Sequence, residues 1–239
     1  MYYEEVKEFG VTYVWDNATI KESIITHRGT KVEIVERPNW GLACYMDNCI
    51  QSCLLDEKIY HEALVTPVMS DSVKNVLIIG GGEGATAREV LKWPVEKVDM
   101  IEWDKDVVEL FRKYPEWSQG AWDDPRLTIE YSDIFNKTIS TKYDVIIIDL
   151  FEPCEDNVTQ MSNLLKNLYN CITLHGSIVM YVGMRNMLMK EQYYQKVIEE
   201  SQETWRVIPI HEFKIESYNV YIPSFLGECI FLLIHKKNT

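Results

Sequence analysis

Val76-Leu-Ile-Ile-Gly-Gly-Gly-Glu-Gly-Ala-Thr-Ala-Arg-Glu-Val-Leu91 is the stretch whose reading decides the fold. Its first residues, Val76 to Ile79, make an apolar run of the kind that forms a buried parallel strand. The run breaks at Gly80, Gly81, Gly82 and Gly84, and helical spacing resumes at Ala87, Val90 and Leu91. Strand, glycine turn and helix in that order build the nucleotide-binding corner of a doubly wound sheet. Glycine permits the tight turn and lets a ligand come close to the backbone. Two acids support this reading. Glu102 ends the next apolar strand about 20 residues on, where a ribose-binding carboxylate belongs, and Asp133 follows a further strand. The turn carries no Lys-Ser/Thr, which excludes a P-loop.

Downstream of this corner the pattern alternates strand and helix, as in a parallel sheet with both faces covered. Strands are predicted at Val98–Glu102, Leu127–Tyr131, Val145–Asp149, Ser177–Val182 and Cys229–His235. Helices are predicted at Lys105–Tyr114, Met161–Cys171 and Glu191–Glu203. Upstream the character changes. Thr30–Glu36 alternates like a half-buried strand, Arg37-Pro-Asn-Trp-Gly41 supplies a turn, and Leu42–Met46 returns. Asp47-Asn48 then turns into Cys49–Leu54. This antiparallel module is too small to stand alone, so it is expected to pack on the main domain or on a second subunit. A helix over Asp56–Val65, with acids in its first turn, ends at Pro67. The chain thus divides at about residue 65 into an N-terminal β module (1–65) and an α/β domain (66–239).

Composition narrows the function. The 239 residues carry 24 Lys+Arg against 37 Asp+Glu, a net charge of −13. Nucleic acid and anionic membrane would be repelled, whereas a cationic substrate would be attracted. The six cysteines show no CxxC pair or accompanying His cluster, which argues against a zinc site or a disulfide framework and suits free thiols in a reducing cytoplasm. No apolar stretch is long enough to span a bilayer, and the start of the chain lacks a signal-peptide core, so a cytoplasmic location is expected.

Four acids, Glu83, Glu102, Asp133 and Asp149, fall at predicted strand ends or turns, the places where open α/β sheets bind ligands. Glu102 can accept hydrogen bonds from both ribose hydroxyls and Asp133 from an adenine amine. The pair suggests an adenosyl ligand, although no second glycine turn or basic residue appears for a pyrophosphate.

Those residues carry a resemblance. Gly80–Leu91 resembles the signature of the spermidine synthase (aminopropyltransferase) family. So do Asp56-Glu-Lys-Ile-Tyr-His-Glu62, Glu116-Trp-Ser-Gln-Gly-Ala-Trp-Asp-Asp-Pro-Arg126, Tyr143-Asp-Val-Ile-Ile-Ile-Asp-Leu-Phe-Glu-Pro153 and Ile222-Pro-Ser-Phe225. Glutamate in the glycine turn, Asp-Leu-x-Glu-Pro and Ile-Pro-Ser-Phe are most similar to thermospermine synthases and to triamine/agmatine aminopropyltransferases. The resemblance implies a Rossmann-like, methyltransferase-type sheet and transfer of a 3-aminopropyl group from decarboxylated S-adenosylmethionine, a co-substrate, to a polyamine, with no metal and no separate cofactor. By the same resemblance, Gly80, Gly81 and Gly82 form the donor turn, Glu102 holds the ribose, Asp133 the adenine amine, and Glu83 and Gln51 the aminopropyl arm. Tyr60, Asp149 and Glu152 position the acceptor, with Asp149 the acid/base. His61 is set behind the site, and Phe225 and Trp40 are core or pocket wall. A dimer or tetramer formed through the β module is also implied.

Physical chemistry bears on these roles directly. The donor arm ends in an ammonium without a carboxylate, so Glu83 is expected to attract it and to repel intact S-adenosylmethionine. The attacking amine, of pKa about 10, must lose a proton at a cost of roughly 4 kcal/mol at neutral pH, and a carboxylate or a water it orients must accept it. Some positions depart from the family pattern: Thr30 and Tyr181 stand where glutamine is common, and Cys154-Glu-Asp-Asn-Val-Thr-Gln160 replaces a glycine-containing gate. Two alternatives stay open: an S-adenosylmethionine-dependent amine N-methyltransferase and a non-catalytic polyamine-binding relative.

Overall fold

The computed structural model describes residues 1–6, 10–186 and 191–237. It opens with a hairpin, β1 (Tyr2–Val6) and β2 (Val11–Trp15), followed by β3 (Thr19–Ile25), β4 (Lys31–Arg37), β5 (Gly41–Met46) and β6 (Cys49–Cys53). Helix α1 (Glu57–Val65) leads into β7 (Asn75–Gly80), α2 (Ala85–Leu91), β8 (Lys97–Glu102), α3 (Lys105–Phe111), α4 (Pro115–Ser118) and β9 (Leu127–Tyr131). The remainder is β10 (Tyr143–Asp149), α5 (Val158–Leu168), β11 (Ile172–Asn186), α6 (Glu191–Trp205), β12 (Phe213–Ile222) and β13 (Gly227–Lys236).

Seven strands form one sheet in the order β12-β13-β11-β10-β7-β8-β9. The five from β11 to β9 are parallel, and β13 and β12 close one edge antiparallel. The chain starts in the middle at β7, moves outward to β9, and returns to place β10 on the other side of β7. That reversal makes β7 and β10 the switch point of the sheet, where a crevice opens beyond the strand ends. The expected Rossmann-like sheet of methyltransferase type with a small N-terminal antiparallel β module is the architecture observed.

Alternation along each central strand feeds two cores. Leu77 and Ile79 of β7 and Ile146 and Ile148 of β10 pack against Leu164, Leu165 and Leu168 of α5. Val76, Ile78, Val145 and Ile147 face the other way, onto Ala87 and Val90 of α2 and Leu64 and Val65 of α1. Helix α1, which the division at residue 65 assigns to the N-terminal module, therefore shares its core with the large sheet.

In the N-terminal module, Val32, Ile34 and Cys44 pack onto Val107, Leu110, Phe111 and Trp117 of the α/β domain. Val35, Ala43, Tyr45 and Cys53 on the opposite face are covered by Tyr2 and Trp15 of the first hairpin. Asp47 and Asn48 both have positive φ (48° and 66°), the primed turn that a two-residue hairpin loop takes. Buried Arg37 lies 4.1 Å from the ring centre of Trp15 and 4.8 Å from that of Trp40, and its Nη1 is 3.5 Å from Glu4. Trp40 is thus a wall of this small core.

The sequence reading places no strand before Thr30 or between Glu203 and Cys229. The structure corrects both, with β1, β2 and β3 in the first region and β12 in the second, and β11 outruns the expected Ser177–Val182 at both ends.

Candidate active site

At the switch point Gly80 of β7 lies opposite Asp149 of β10. Gly80 has φ +84°, and a Cβ there would stand 2.1 Å from the Asp149 carbonyl oxygen, so no other residue brings the two strands this close. Beyond the strand ends opens a cavity of about 580 Å³, to which Gly80, Gly81, Gly82, Glu83, Glu102, Asp133, Asp149, Glu152, Tyr60 and Gln51 all contribute. Every residue singled out for the site therefore meets in one place.

Glu102, at the end of β8, is buried. Its Oε1 accepts the backbone N–H groups of Trp103 (2.7 Å) and Asp104 (2.9 Å). Burial raises its carboxyl pKa, and these two amides oppose the rise. Oε2 faces the glycine turn: a Cβ on Gly82 would sit 3.2 Å from it. With one oxygen tied to the backbone and the other directed at the turn, the carboxylate is fixed in orientation. Asp133 caps the short turn after β9, accepting from the Phe135 amide (3.0 Å) and from Asn136 Nδ2 (2.7 Å). Beside it Phe135 and Phe151 stack with ring centres 6.1 Å apart, and both line the cavity.

Asp149 is oriented by two hydroxyls. Tyr60 Oη donates to Oδ1 at 3.4 Å and Thr86 Oγ1 to Oδ2 at 2.5 Å. Neither of these donors carries charge, so they aim the carboxylate without an ion pair. Burial, reinforced by the field of Asp149, pushes the Tyr60 phenol well above its ordinary pKa and keeps it a donor. Tyr60 sits among aromatic rings, with Phe231, Tyr181 and Phe225 at 5.3, 6.0 and 6.2 Å between centres. Phe225 reaches the cavity because Asp56, the residue before α1, accepts both the amide (2.5 Å) and the hydroxyl (2.8 Å) of Ser224. The Ile-Pro-Ser-Phe segment is thereby pinned to the start of the helix that carries Tyr60. Glu152 lies at the mouth of the cavity. Gln51 is exposed there, its amide donating to the carbonyls of Cys49 and Ile50 on its own strand.

Glu83 is placed differently from the expectation. Rather than reaching into the cavity unopposed, its Oε1 lies 2.6 Å from Nε2 of His61, the residue that the sequence reading sets behind the site. Nδ1 of the same ring is 3.0 Å from Glu57 Oε2, and Glu57 is gripped by both terminal nitrogens of Arg88 at 2.9 and 2.8 Å. Burial alone would depress the His61 pKa. The field of Glu83, the hydrogen bonds to Glu57 and Glu83, and the field of Asp149 outweigh it and hold the value at about 10. His61 is therefore an imidazolium at neutral pH, buried between two carboxylates. Half of this arrangement was legible: Glu57 and His61 are four apart on one helix face.

The sequence reading also misses the first hairpin as part of the site. Glu4, Glu5, Val6 and Tyr13 line the cavity. The β-rich run Val11-Thr-Tyr-Val-Trp15 is the signal that could have revealed it. In all, eight carboxylates line the cavity, from Glu4, Glu5, Glu83, Glu102, Asp104, Asp133, Asp149 and Glu152, and among the described residues no lysine or arginine does. Of the departures from the family pattern, Thr30 and Tyr181 both line the cavity. All six cysteines are free thiols.

Fold and site together define a Rossmann-like α/β domain with an acidic cavity at its switch point. Comparison with known proteins specifies the family. Residues 57–239 match the spermine/spermidine synthase domain, and the chain belongs to that family. A polyamine aminopropyltransferase of Pyrobaculum calidifontis is 35% identical over 209 residues, covering 82% of this chain and 72% of that protein. One of Saccharolobus islandicus (strain L.S.2.15 / Lassen #1) is 46% identical over 138 residues, covering 54% of this chain and only 46% of that protein, about half its length. Among solved structures, the spermidine synthase of Thermotoga maritima superposes with a TM-score of 0.80 at 27% identity, over 99% of this chain and 79% of that one. A spermidine synthase in complex with the transition state analogue AdoDATO gives 0.80 at 26% identity, over 99% and 80%.

Proposed function

We propose that this chain transfers a 3-aminopropyl group from decarboxylated S-adenosylmethionine to a polyamine and releases methylthioadenosine. The observation that carries the reading is the cavity: eight carboxylates, one of them the fixed ribose-type Glu102 at a glycine turn, and, among the described residues, no lysine or arginine. Both substrates are cations, and such a lining attracts them. Family membership and relatives named polyamine aminopropyltransferase and spermidine synthase support the same conclusion.

In this reading Glu102 accepts from the ribose and Asp133 from the adenine amine, while Gly80, Gly81 and Gly82 let the donor lie against the backbone. The acceptor amine enters past Glu152 and Gln51 into the ring cluster around Tyr60 and meets Asp149. Asp149, or a water it orients, takes the proton that frees the nitrogen lone pair. That pair forms the new C–N bond as the C–S bond breaks, and its electrons return to sulfur, which leaves as the neutral thioether. The protein supplies proximity and the proton acceptor. Glu83, already paired with His61, contributes shape and a hydrogen-bond acceptor more than free charge. The acceptor is a triamine such as spermidine, agmatine, or putrescine. The free thiols suit a cytoplasmic setting, and exposed Ile20 and Ile25 on edge strand β3 suit assembly into a dimer or tetramer through the β module.

Mass spectrometry of a reaction panel tests this, with decarboxylated and intact S-adenosylmethionine each offered with putrescine, agmatine, spermidine and norspermidine. Gain of one aminopropyl unit from the decarboxylated donor alone is expected. Methyl transfer from the intact donor would overturn the reading in favour of an amine N-methyltransferase, which the pairing of Glu83 with His61 disfavours less than an isolated carboxylate would. Binding of polyamine without product from either donor would leave a non-catalytic binder.

A further inference from the structure

The turn between β3 and β4 belongs to the N-terminal module, yet its tip is fastened to Trp103 and Asp106, in the segment that follows Glu102. Arg28 lays its guanidinium over the Trp103 ring, 4.1 Å from the centre, and donates from Nε and Nη2 to the Trp103 carbonyl at 3.3 and 3.1 Å. Its neighbour His27 donates its backbone N–H to Asp106 Oδ2 at 2.7 Å, and its ring Nδ1 lies 2.9 Å from that same oxygen. Asp104, 3.6 Å from the ring nitrogen, accepts the Asp106 amide. Residues 103–106 are thus gripped at both ends by two consecutive side chains of another module. The amides of Trp103 and Asp104 are the two that hold Glu102 Oε1, and Trp103 and Asp104 themselves line the cavity.

We infer that His27 and Arg28 are positioning residues for the adenosyl donor: a clasp through which the N-terminal module holds Glu102 and Trp103 in their binding posture. The inference rests on the reading of Glu102 as the ribose carboxylate. Neither residue lines the cavity; both act through residues 103–106. A short connection between a strand end and a helix opens easily when few contacts hold it, and donor binding would then bear the cost of ordering it. Arginine fits the task because its planar fork bonds one carbonyl with two nitrogens while its face stacks on an indole; lysine has one donor head and no plane. His27, Asp104 and Asp106 bring ligand-type atoms within 4.8 Å of one another. Asp104 Oδ1 and Asp106 Oδ2 already accept backbone amides, so the clasp accounts for the cluster without an ion.

The experiment uses Arg28→Ala, Arg28→Lys and His27→Ala in the full chain. Both positions are exposed, so folding is retained. Three quantities are read: hydrogen exchange at the Trp103 and Asp104 amides without ligand, methylthioadenosine affinity by calorimetry, and KM for donor and for acceptor separately. In Arg28→Ala both amides exchange faster, methylthioadenosine binds about five- to tenfold more weakly, donor KM rises in parallel and acceptor KM stays put. Arg28→Lys falls between. Unchanged exchange, or faster exchange with unchanged affinity, overturns the clasp. Faster exchange and weaker binding in a protein that transfers no aminopropyl group would sink the proposed reaction and leave the clasp standing.

Discussion

Replacing His61 with leucine tests the buried charge chain most directly. Leucine keeps roughly the volume and removes the cation that Glu57 and Glu83 share. Breaking one partner out of a buried ion pair costs about 3–5 kcal/mol, because the remaining charge has no compensation. Here the lower end applies: Glu57 keeps both hydrogen bonds from Arg88, and the Glu83 side chain is 13% exposed and can recruit water. For a chain of this length, about 3 kcal/mol corresponds to a Tm lower by about 6–12 °C. The pH dependence is the sharper part. The His61 pKa rises from 6.5 to about 10 on folding. A group whose pKa is raised on folding stabilises fully below its unfolded pKa, and the contribution is lost as pH climbs through its folded pKa. The Tm difference between wild type and His61→Leu is therefore widest near pH 6, shrinks steadily above it, and closes beyond about pH 10. Scanning calorimetry of both proteins from about pH 6 to about pH 10.5 reads this difference. A constant gap across that range would refute the reasoning, since it would mean a neutral ring acting only as hydrogen-bonded filler.

Asp149→Asn keeps the shape and one of the two acceptor oxygens that the hydroxyls bond, but accepts no proton; turnover should fall by about 10²–10⁴ while methylthioadenosine affinity barely changes, and undiminished turnover would remove Asp149 as the base. Glu102→Gln exchanges charge-assisted hydrogen bonds for neutral ones, so methylthioadenosine should bind about 10- to 100-fold more weakly by calorimetry; unchanged affinity would take the ribose away from this residue. Arg37→Met removes a fully buried guanidinium that donates to Tyr45 and Cys53 and leaves Glu4 without its cation. Tm should drop by several degrees, and adding Glu4→Gln should recover part of the loss; a double variant no more stable than the single one would contradict the pairing.

What was legible in the sequence was whatever is local. Val76–Ile79 and Gly80–Gly84 announce a strand and a turn without reference to anything distant, and the acids at strand ends follow because parallel strands all deliver their C-terminal ends to one side. Strand β12 was hidden by a slip of phase: Phe213 and Ile215 alternate, then the apolar series restarts one residue late at Tyr218, Val220 and Ile222, which defeats a search for strict period two. The first hairpin announces itself through Val11-Thr-Tyr-Val-Trp15, but nothing in that run says that it will roof a cavity built by β7 and β10. That placement depends on Arg37, whose burial between Trp15 and Trp40 ties the hairpin to the four-stranded sheet.

The charge at the reacting centre shows most clearly what tertiary structure adds. From sequence, Glu83 is the residue that selects an ammonium-ended donor. In the folded chain Glu83, His61, Glu57, Arg88, Glu89 and Lys92 form a chain of three anions and three cations with no net charge. A carboxylate whose neighbour at 2.6 Å is an imidazolium exerts little field on a ligand farther away. Asp149 is held differently: its hydrogen-bond donors are the neutral hydroxyls of Tyr60 and Thr86, which fix its orientation. Two acids near one glycine turn therefore divide the work. Glu83 ties helix α1 to the turn through His61, and Asp149, oriented by two hydroxyls, is the acid that the proposed reaction brings to the amine. The residue types identify both as candidates, but only the folded chain shows that His61 bonds Glu83 while Asp149 is held by hydroxyls.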